Sequence, residues 1–301
     1  MEIEQQETTS NEEPQEVRVI ENDHVLSGDR TILVSYTGNK LSYVLPDTVE
    51  TIADSAFSNC YSLYSINMTG NLVRIGKGAF EYCTRLALIT FPDSITEIDE
   101  YAFARCGSLA LVDLPFKLTR VKKGTFSTCK RLFAISIPSK VEEIEDCAFE
   151  KCSGLISVTL PESLKRIGKG AFEDCGKLAE IIIPENVTTV DEYAFFYCDN
   201  LKSVRMANNV TFVGEGAWGC CKNLESVIIS SKVDTIEVGT FKDCPSLKEI
   251  HCKNPIPPSV MKAAFGGTTK IQECTLYIPK GVLDAYKEAT GWKDFKEILE
   301  E

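Results

Sequence analysis

Nine cysteines, Cys60, Cys83, Cys106, Cys129, Cys152, Cys175, Cys198, Cys221 and Cys244, recur at an unbroken interval of 23 residues. Three residues before each stands an aromatic ring: Phe57, Phe80, Phe103, Phe126, Phe149, Phe172, Phe195, Trp218 and Phe241. Three residues after each stands a leucine, from Leu63 through Leu155 to Leu247. A fixed period of this length implies a solenoid. One short unit cannot bury its own apolar face, and it stacks on its neighbours to do so.

Further ladders at the same period describe the unit. Ile66, Ile89, Val112, Ile135, Val158 and Ile181 form one, and Met68, Phe91, Leu114, Ile137, Leu160 and Ile183 another. Residues two apart on an extended chain share a face, so Ile66 and Met68 turn inward while Ser65 and Asn67 turn outward. Proline follows this strand in most copies (Pro92, Pro115, Pro138, Pro161, Pro184) and ends it, because it fixes φ and offers no amide donor. A second extended piece follows, as in Thr96-Glu97-Ile98, and leads into Ala-Phe. Tyr101 to Arg105 and its equivalents are expected to form a single helical turn, too short to be stable alone and held by its phenylalanine.

The resulting pattern, Pro-x-x-Val/Ile/Leu-x-x-Ile-x-x-x-Ala-Phe-x-x-Cys-x-x-Leu-x-x-Ile-x-Ile, resembles the BspA-type (Treponema-type) leucine-rich repeat from about Leu41 to Cys252. The flanks resemble the segments that frame such arrays, notably Asp29 to Tyr36 before it and Asp284-Ala285-Tyr286 and Gly291 to Phe295 after it. The resemblance implies an α/β repeat solenoid, a right-handed leucine-rich-repeat coil with a parallel sheet on one face and short strands plus helical turns on the other. It also implies a non-catalytic bacterial surface or secreted protein that binds host matrix proteins or other cells. The expected organisation is an acidic tail or linker over 1–16, an N-terminal cap over 17–46, nine repeats over 47–253, and a degenerate repeat with a C-terminal cap over 254–301.

Charge narrows the partners. The chain carries 32 basic against 44 acidic residues, net −12, whereas a phosphate-binding surface needs a concentration of Lys and Arg. No apolar run approaches the length of a membrane span, and the first residues lack the basic and apolar regions of a signal peptide. Two locations fit: cell surface or secreted if an export signal has been removed, cytoplasmic if Met1 is the native start. Residues 1–16 hold six glutamates and no Lys or Arg, the composition of a disordered segment.

The cysteines are expected to be reduced and buried. Equivalent residues in stacked coils lie roughly 4.8 Å apart with parallel side chains, which do not converge on a disulfide. Cys147 and Cys220 fall off the ladder and are expected to be more exposed; Cys252 and Cys274 are the one pair to test for a bridge. Structural zinc wants closely spaced paired ligands, and only Cys220-Cys221 are close, so no metal and no cofactor is expected. With His24 and His251 the only histidines, and with Gly76-Lys77-Gly78 and Gly168-Lys169-Gly170 recurring at fixed phase in the repeat, nothing signals catalysis or a phosphate loop.

Two surfaces could bind a protein partner. The row of short strands gives a face of roughly 45 Å at ~4.8 Å per rung, with Leu88, Leu111, Ile182 and Ile228 standing out among small polar residues and Arg205 beside them. The second is the helical-turn side, where Tyr82, Phe196 and Tyr197 are either anchors or packing for the adjacent rung. The leading expectation is an exported adhesin-like interaction protein, acting as a monomer. The alternatives are an intracellular scaffold of the same fold and, last, a carbohydrate-binding module or enzyme.

Overall fold

The computed structural model describes residues 18–21, 23–68 and 70–301. The expected tail over 1–16 lies outside the described residues. Each 23-residue coil contributes one three- or four-residue strand, reduced to a single bridge at Leu111, and one two-residue strand. Ser65–Asn67 pairs in parallel with Ser42–Val44 on one side and Leu88–Thr90 on the other, with Ser65 opposite Ser42 and Leu88. On a second face, Thr51–Ile52 pairs with Arg74–Ile75, and that with Glu97–Ile98. Every partner is 23 residues away, so the register repeats the sequence period, and Ile66 is buried while Asn67 beside it is exposed.

The third wall differs from a helical turn. In the coil around Phe103, Tyr101 has φ 56° and Arg105 φ 62°, both left-handed, and the same two positions are left-handed in coil after coil. Alternate amides also face different ways. Ala104 and Cys106 donate within the coil to Tyr101 O (2.9 Å) and Phe103 O (3.2 Å), whereas Tyr101, Phe103 and Arg105 donate to Lys123, Thr125 and Ser127 of the next coil. A helix requires negative φ throughout and donors pointing one way. Coil-to-coil bonding therefore replaces the expected helical turn with overlapping reverse turns, and it holds non-glycine residues in a conformation they seldom adopt.

The aromatic ladder fills the interior. All nine rings are fully buried and stack nearly parallel, with centroids from 4.9 Å (Phe57 to Phe80) to 5.9 Å (Phe195 to Trp218). At the start, Tyr36 and Tyr43 cover Phe57 at 5.1 and 5.4 Å. At the end, Phe265 continues the stack on Phe241, and Trp292 closes it edge-on at 5.8 Å. Trp292 Nε1 donates to Pro258 O at 2.7 Å, and Tyr286, on the helix Leu283–Glu288, donates to Asn254 O at 2.7 Å. Aromatic rings thus seal both ends of the array, and at the C-terminal end their polar atoms find partners.

Each buried thiol has a partner as well. Cys83 Sγ donates to Phe57 O (3.0 Å) and Cys106 Sγ to Phe80 O (3.2 Å), a pattern repeated to Cys244 and Trp218. All thirteen cysteines are free, with Cys60, Cys147 and Cys220 half-buried. Cys252 and Cys274 form no bridge: Cys252 Sγ lies 3.1 Å from Tyr286 Oη, and Cys274 Sγ donates to Leu247 O at 2.8 Å.

The ladders are not uniformly covered. On the face with longer strands, pairing lapses between Leu88–Thr90 and the next coil and between Ser157–Thr159 and Glu180–Ile182. Beside these lapses Ile89, Phe91, Leu114, Val158 and Leu160, expected inside, are only half-buried. Where adjacent strands separate, the inward side chains lose part of their cover.

Candidate partner-binding surface

The longer strands project their alternate side chains outward because the inward ones are committed to the core. Leu88, Leu111 and Ile182 are 57%, 59% and 68% exposed; Arg205 is exposed and Ile228 half-buried. These five do not form one cluster. Leu88 and Leu111 sit at the same phase of successive coils, while Ile182, Arg205 and Ile228 are paired in register further along, two positions over.

Two further exposed residues belong with the first pair. Phe133 and Ile156, 44% and 50% exposed, lie at the residue just before the strand. Phe133 N donates to Ala110 O at 3.2 Å and Ile156 N to Phe133 O at 2.8 Å, so the two occupy adjacent rungs beside Leu111. Alternation counted from Ser65 misses them, because this position precedes the alternating stretch. Its composition, Tyr64, Ala87, Ala110, Phe133, Ile156, Ala179, Lys202, is the available signal.

On the turn wall, packing accounts for the aromatics. Phe196 meets Tyr193 at 5.4 Å and Tyr197 at 4.5 Å, both edge-on. A Cβ on Gly219 of the next coil would stand 2.7 Å from its ring, so that glycine is the space Phe196 fills. Tyr82 lies beneath the Arg105 guanidinium, 4.8 Å from the ring centre. Tyr197 keeps an exposed edge.

The face of two-residue strands is occupied by its own ion pairs. Arg74 reaches Glu97 at 3.3 Å and also Asp99; Lys122 reaches Glu97 at 2.5 Å and Asp99 at 2.7 Å; Arg166 reaches Glu143 at 2.6 Å and also Asp191. A crevice of about 450 Å³ there is lined by Glu97, Arg120, Lys122 and Glu145 among others. Burial pushes the fully buried ladder thiols up, Cys152 and Cys244 to about 12, and half-buried Cys147 to about 11, which leaves them poor nucleophiles at neutral pH. Among the described residues no group of three His, Cys, Asp or Glu is placed to hold a metal, and no helix is long and apolar enough to cross a membrane.

A coil of in-register parallel strands around stacked leucine and phenylalanine ladders defines a leucine-rich repeat solenoid. The chain matches the BspA type leucine rich repeat region (six copies) over residues 35–156, 125–248 and 165–288, and it belongs to that family. A leucine-rich repeat protein from Bacteroides ovatus shares its fold, with TM-score 0.73 and 24% identity over 97% of this chain and 77% of that one. A leucine rich cell surface protein from Faecalibacterium prausnitzii matches with TM-score 0.56 and 24% identity over 97% and 96% of the two chains. The T. pallidum leucine rich repeat protein is 35% identical over 59% of this chain and 86% of that chain, with TM-score 0.56. No curated protein matches the chain.

Proposed function

We propose that this chain is a non-catalytic protein-interaction module that acts at a bacterial cell surface or in secreted form and binds a host matrix protein or another cell through its strand face. The observation that carries the reading is the exposure of Leu88, Leu111 and Ile182 on strands whose inward side chains are locked in the core. Large apolar side chains held outward on a rigid scaffold lose little entropy when a partner covers them. The turn wall spends its aromatics on the next coil, and the opposite sheet spends its charges on itself. The family and the likeness to a leucine rich cell surface protein support the placement outside the cell. Binding of the purified chain to immobilised matrix proteins and to bacterial cells tests this reading. Saturable binding lost on unfolding is expected; a folded chain that binds no such surface, or that turns over a glycan or peptide substrate, overturns it.

A further inference from the structure

At the residue before each longer strand and at its first residue, the exposed apolar side chains gather toward one end of the face. Phe133 and Ile156 continue the strip begun by Leu88 and Leu111, and Tyr64 extends it one way. Beyond Ile156 the same two positions become Ala179 and Glu180, then Lys202 and Ser203, Glu225 and Ser226, Lys248 and Glu249. At these two positions the first half of the face is apolar and the second half polar; Ile182 and Ile228 of the second half stand two positions over. From Tyr64 to Ile156 the strip crosses four coil intervals, about 19 Å at ~4.8 Å each, the length of roughly six residues of extended chain.

The charge beside the strip runs against the charge of the molecule. On the rim that leads into these strands the charged residues from coil to coil are Arg85, Lys130 and Arg131, all exposed and with no carboxylate between them. Of the seven cations in residues 110–140, Arg120 and Lys122 are paired on the opposite face, while Lys130 and Arg131 stand on this rim, in a chain of net charge −12. Elsewhere Lys77, Lys151, Lys165 and Lys222 each reach a carboxylate. Arg85, Lys130 and Arg131 reach none among the described residues. Unpaired guanidinium groups beside an apolar strip suit carboxylates delivered by something else, since Arg binds them bidentately.

We propose that the half-face around Leu88, Leu111, Phe133 and Ile156 is the docking site for an extended acidic segment of a partner protein. Its apolar side chains cover the strip, and its Asp or Glu carboxylates meet Arg85, Lys130 and Arg131. The inference rests on the interaction reading above and names the chemistry of the partner. The field of the whole molecule favours basic peptides, so selection of acidic ones would report a local site.

The test is selection of a random 12-residue peptide library, displayed on phage, against the full chain, repeated with Arg85→Glu/Lys130→Glu/Arg131→Glu and with Leu88→Ser/Leu111→Ser. All five positions are exposed, and unchanged melting confirms that the variants fold. The parent is expected to enrich peptides that combine an excess of Asp and Glu with apolar residues. Each variant is expected to weaken the selected peptides at least tenfold, and raised salt to weaken them on the parent. Selection of neutral or basic sequences, of none, or of acidic peptides that bind the variants as well as the parent, overturns the inference. If the parent captures cells or matrix proteins and the charge-reversed variant captures them equally, the acidic-partner inference fails and the interaction reading stands. If the parent captures none, the interaction reading itself has failed.

Discussion

The ring of Phe149 lies flat against that of Phe172, centroids 5.2 Å and planes 7° apart, although 23 residues separate them in the chain. The strand and turn hydrogen bonds set the coil spacing, and the ring fills it: Phe149 N donates to Ala171 O of the next coil at 2.8 Å. Core and wall therefore stand or fall together.

Replacing Phe149 by Ala removes a fully buried ring with neighbours on both sides. The expected loss is about 3 to 5 kcal/mol, spread into adjacent coils because each is held by its neighbours. Urea unfolding followed by circular dichroism measures it. A loss under about 1 kcal/mol would place the ring outside the core.

Gly216 and Gly239 both have positive φ, 61° and 66°, but only Gly216 receives a ring: a Cβ there would stand 2.6 Å from Tyr193. Gly239→Ala should cost about 1 to 2 kcal/mol for the left-handed backbone alone. Gly216→Ala should cost more, and Tyr193→Ala should recover the excess. A double-mutant cycle on melting checks the pair, and equal costs at the two glycines would remove the steric argument.

Thiol labelling reads burial directly. In the folded chain Cys60, Cys147 and Cys220 should react, and the ten buried cysteines only on unfolding. Cys60 should lead, since the neighbouring Cys83 thiol holds it below the ordinary value despite partial burial, while burial raises Cys147 and Cys220. Mass spectrometry after a short pulse of alkylating reagent gives the order; early labelling at Cys152 or Cys175 would contradict it.

Acid should act in opposite senses on two carboxylates. Burial raises Asp99, but Lys122 and Arg74 outweigh it and hold the carboxyl below its ordinary 3.8. Its stabilisation is therefore present above pH 3.8 and is lost as pH falls through the lower folded value. Asp99→Asn should cost about 1 to 2 kcal/mol at neutral pH, with the gap closing in that acid range. At Asp191 burial outweighs Arg166 and the carboxyl is raised, so the parent should gain on Asp191→Asn as pH falls. Urea midpoints across pH decide, and parallel profiles for the two variants would sink the assignment.

The coil is legible in the sequence because its constraint is periodic: the cysteine, phenylalanine and leucine ladders need only counting. The turn wall is not, since Asn59, Tyr82, Arg105, Thr128 and Lys151 share a left-handed φ with no common side chain. Inter-coil hydrogen bonds impose that conformation. The lapses in pairing beside Ile89 and Val158 are equally silent, because the 23-residue spacing continues through them. Leu88, Leu111 and Ile182 read correctly as outward from alternation; Phe133 and Ile156 do not, because they stand one residue ahead of it.

The division of labour between the two walls is the claim on which the rest depends. Binding of the chain to matrix proteins or cells should be measured for Leu88→Ser/Leu111→Ser on the strand face and for Tyr82→Ser/Tyr197→Ser on the turn wall. The first pair should weaken binding at least tenfold and the second leave it unchanged, with both variants folded; loss confined to the turn-wall pair would contradict the account.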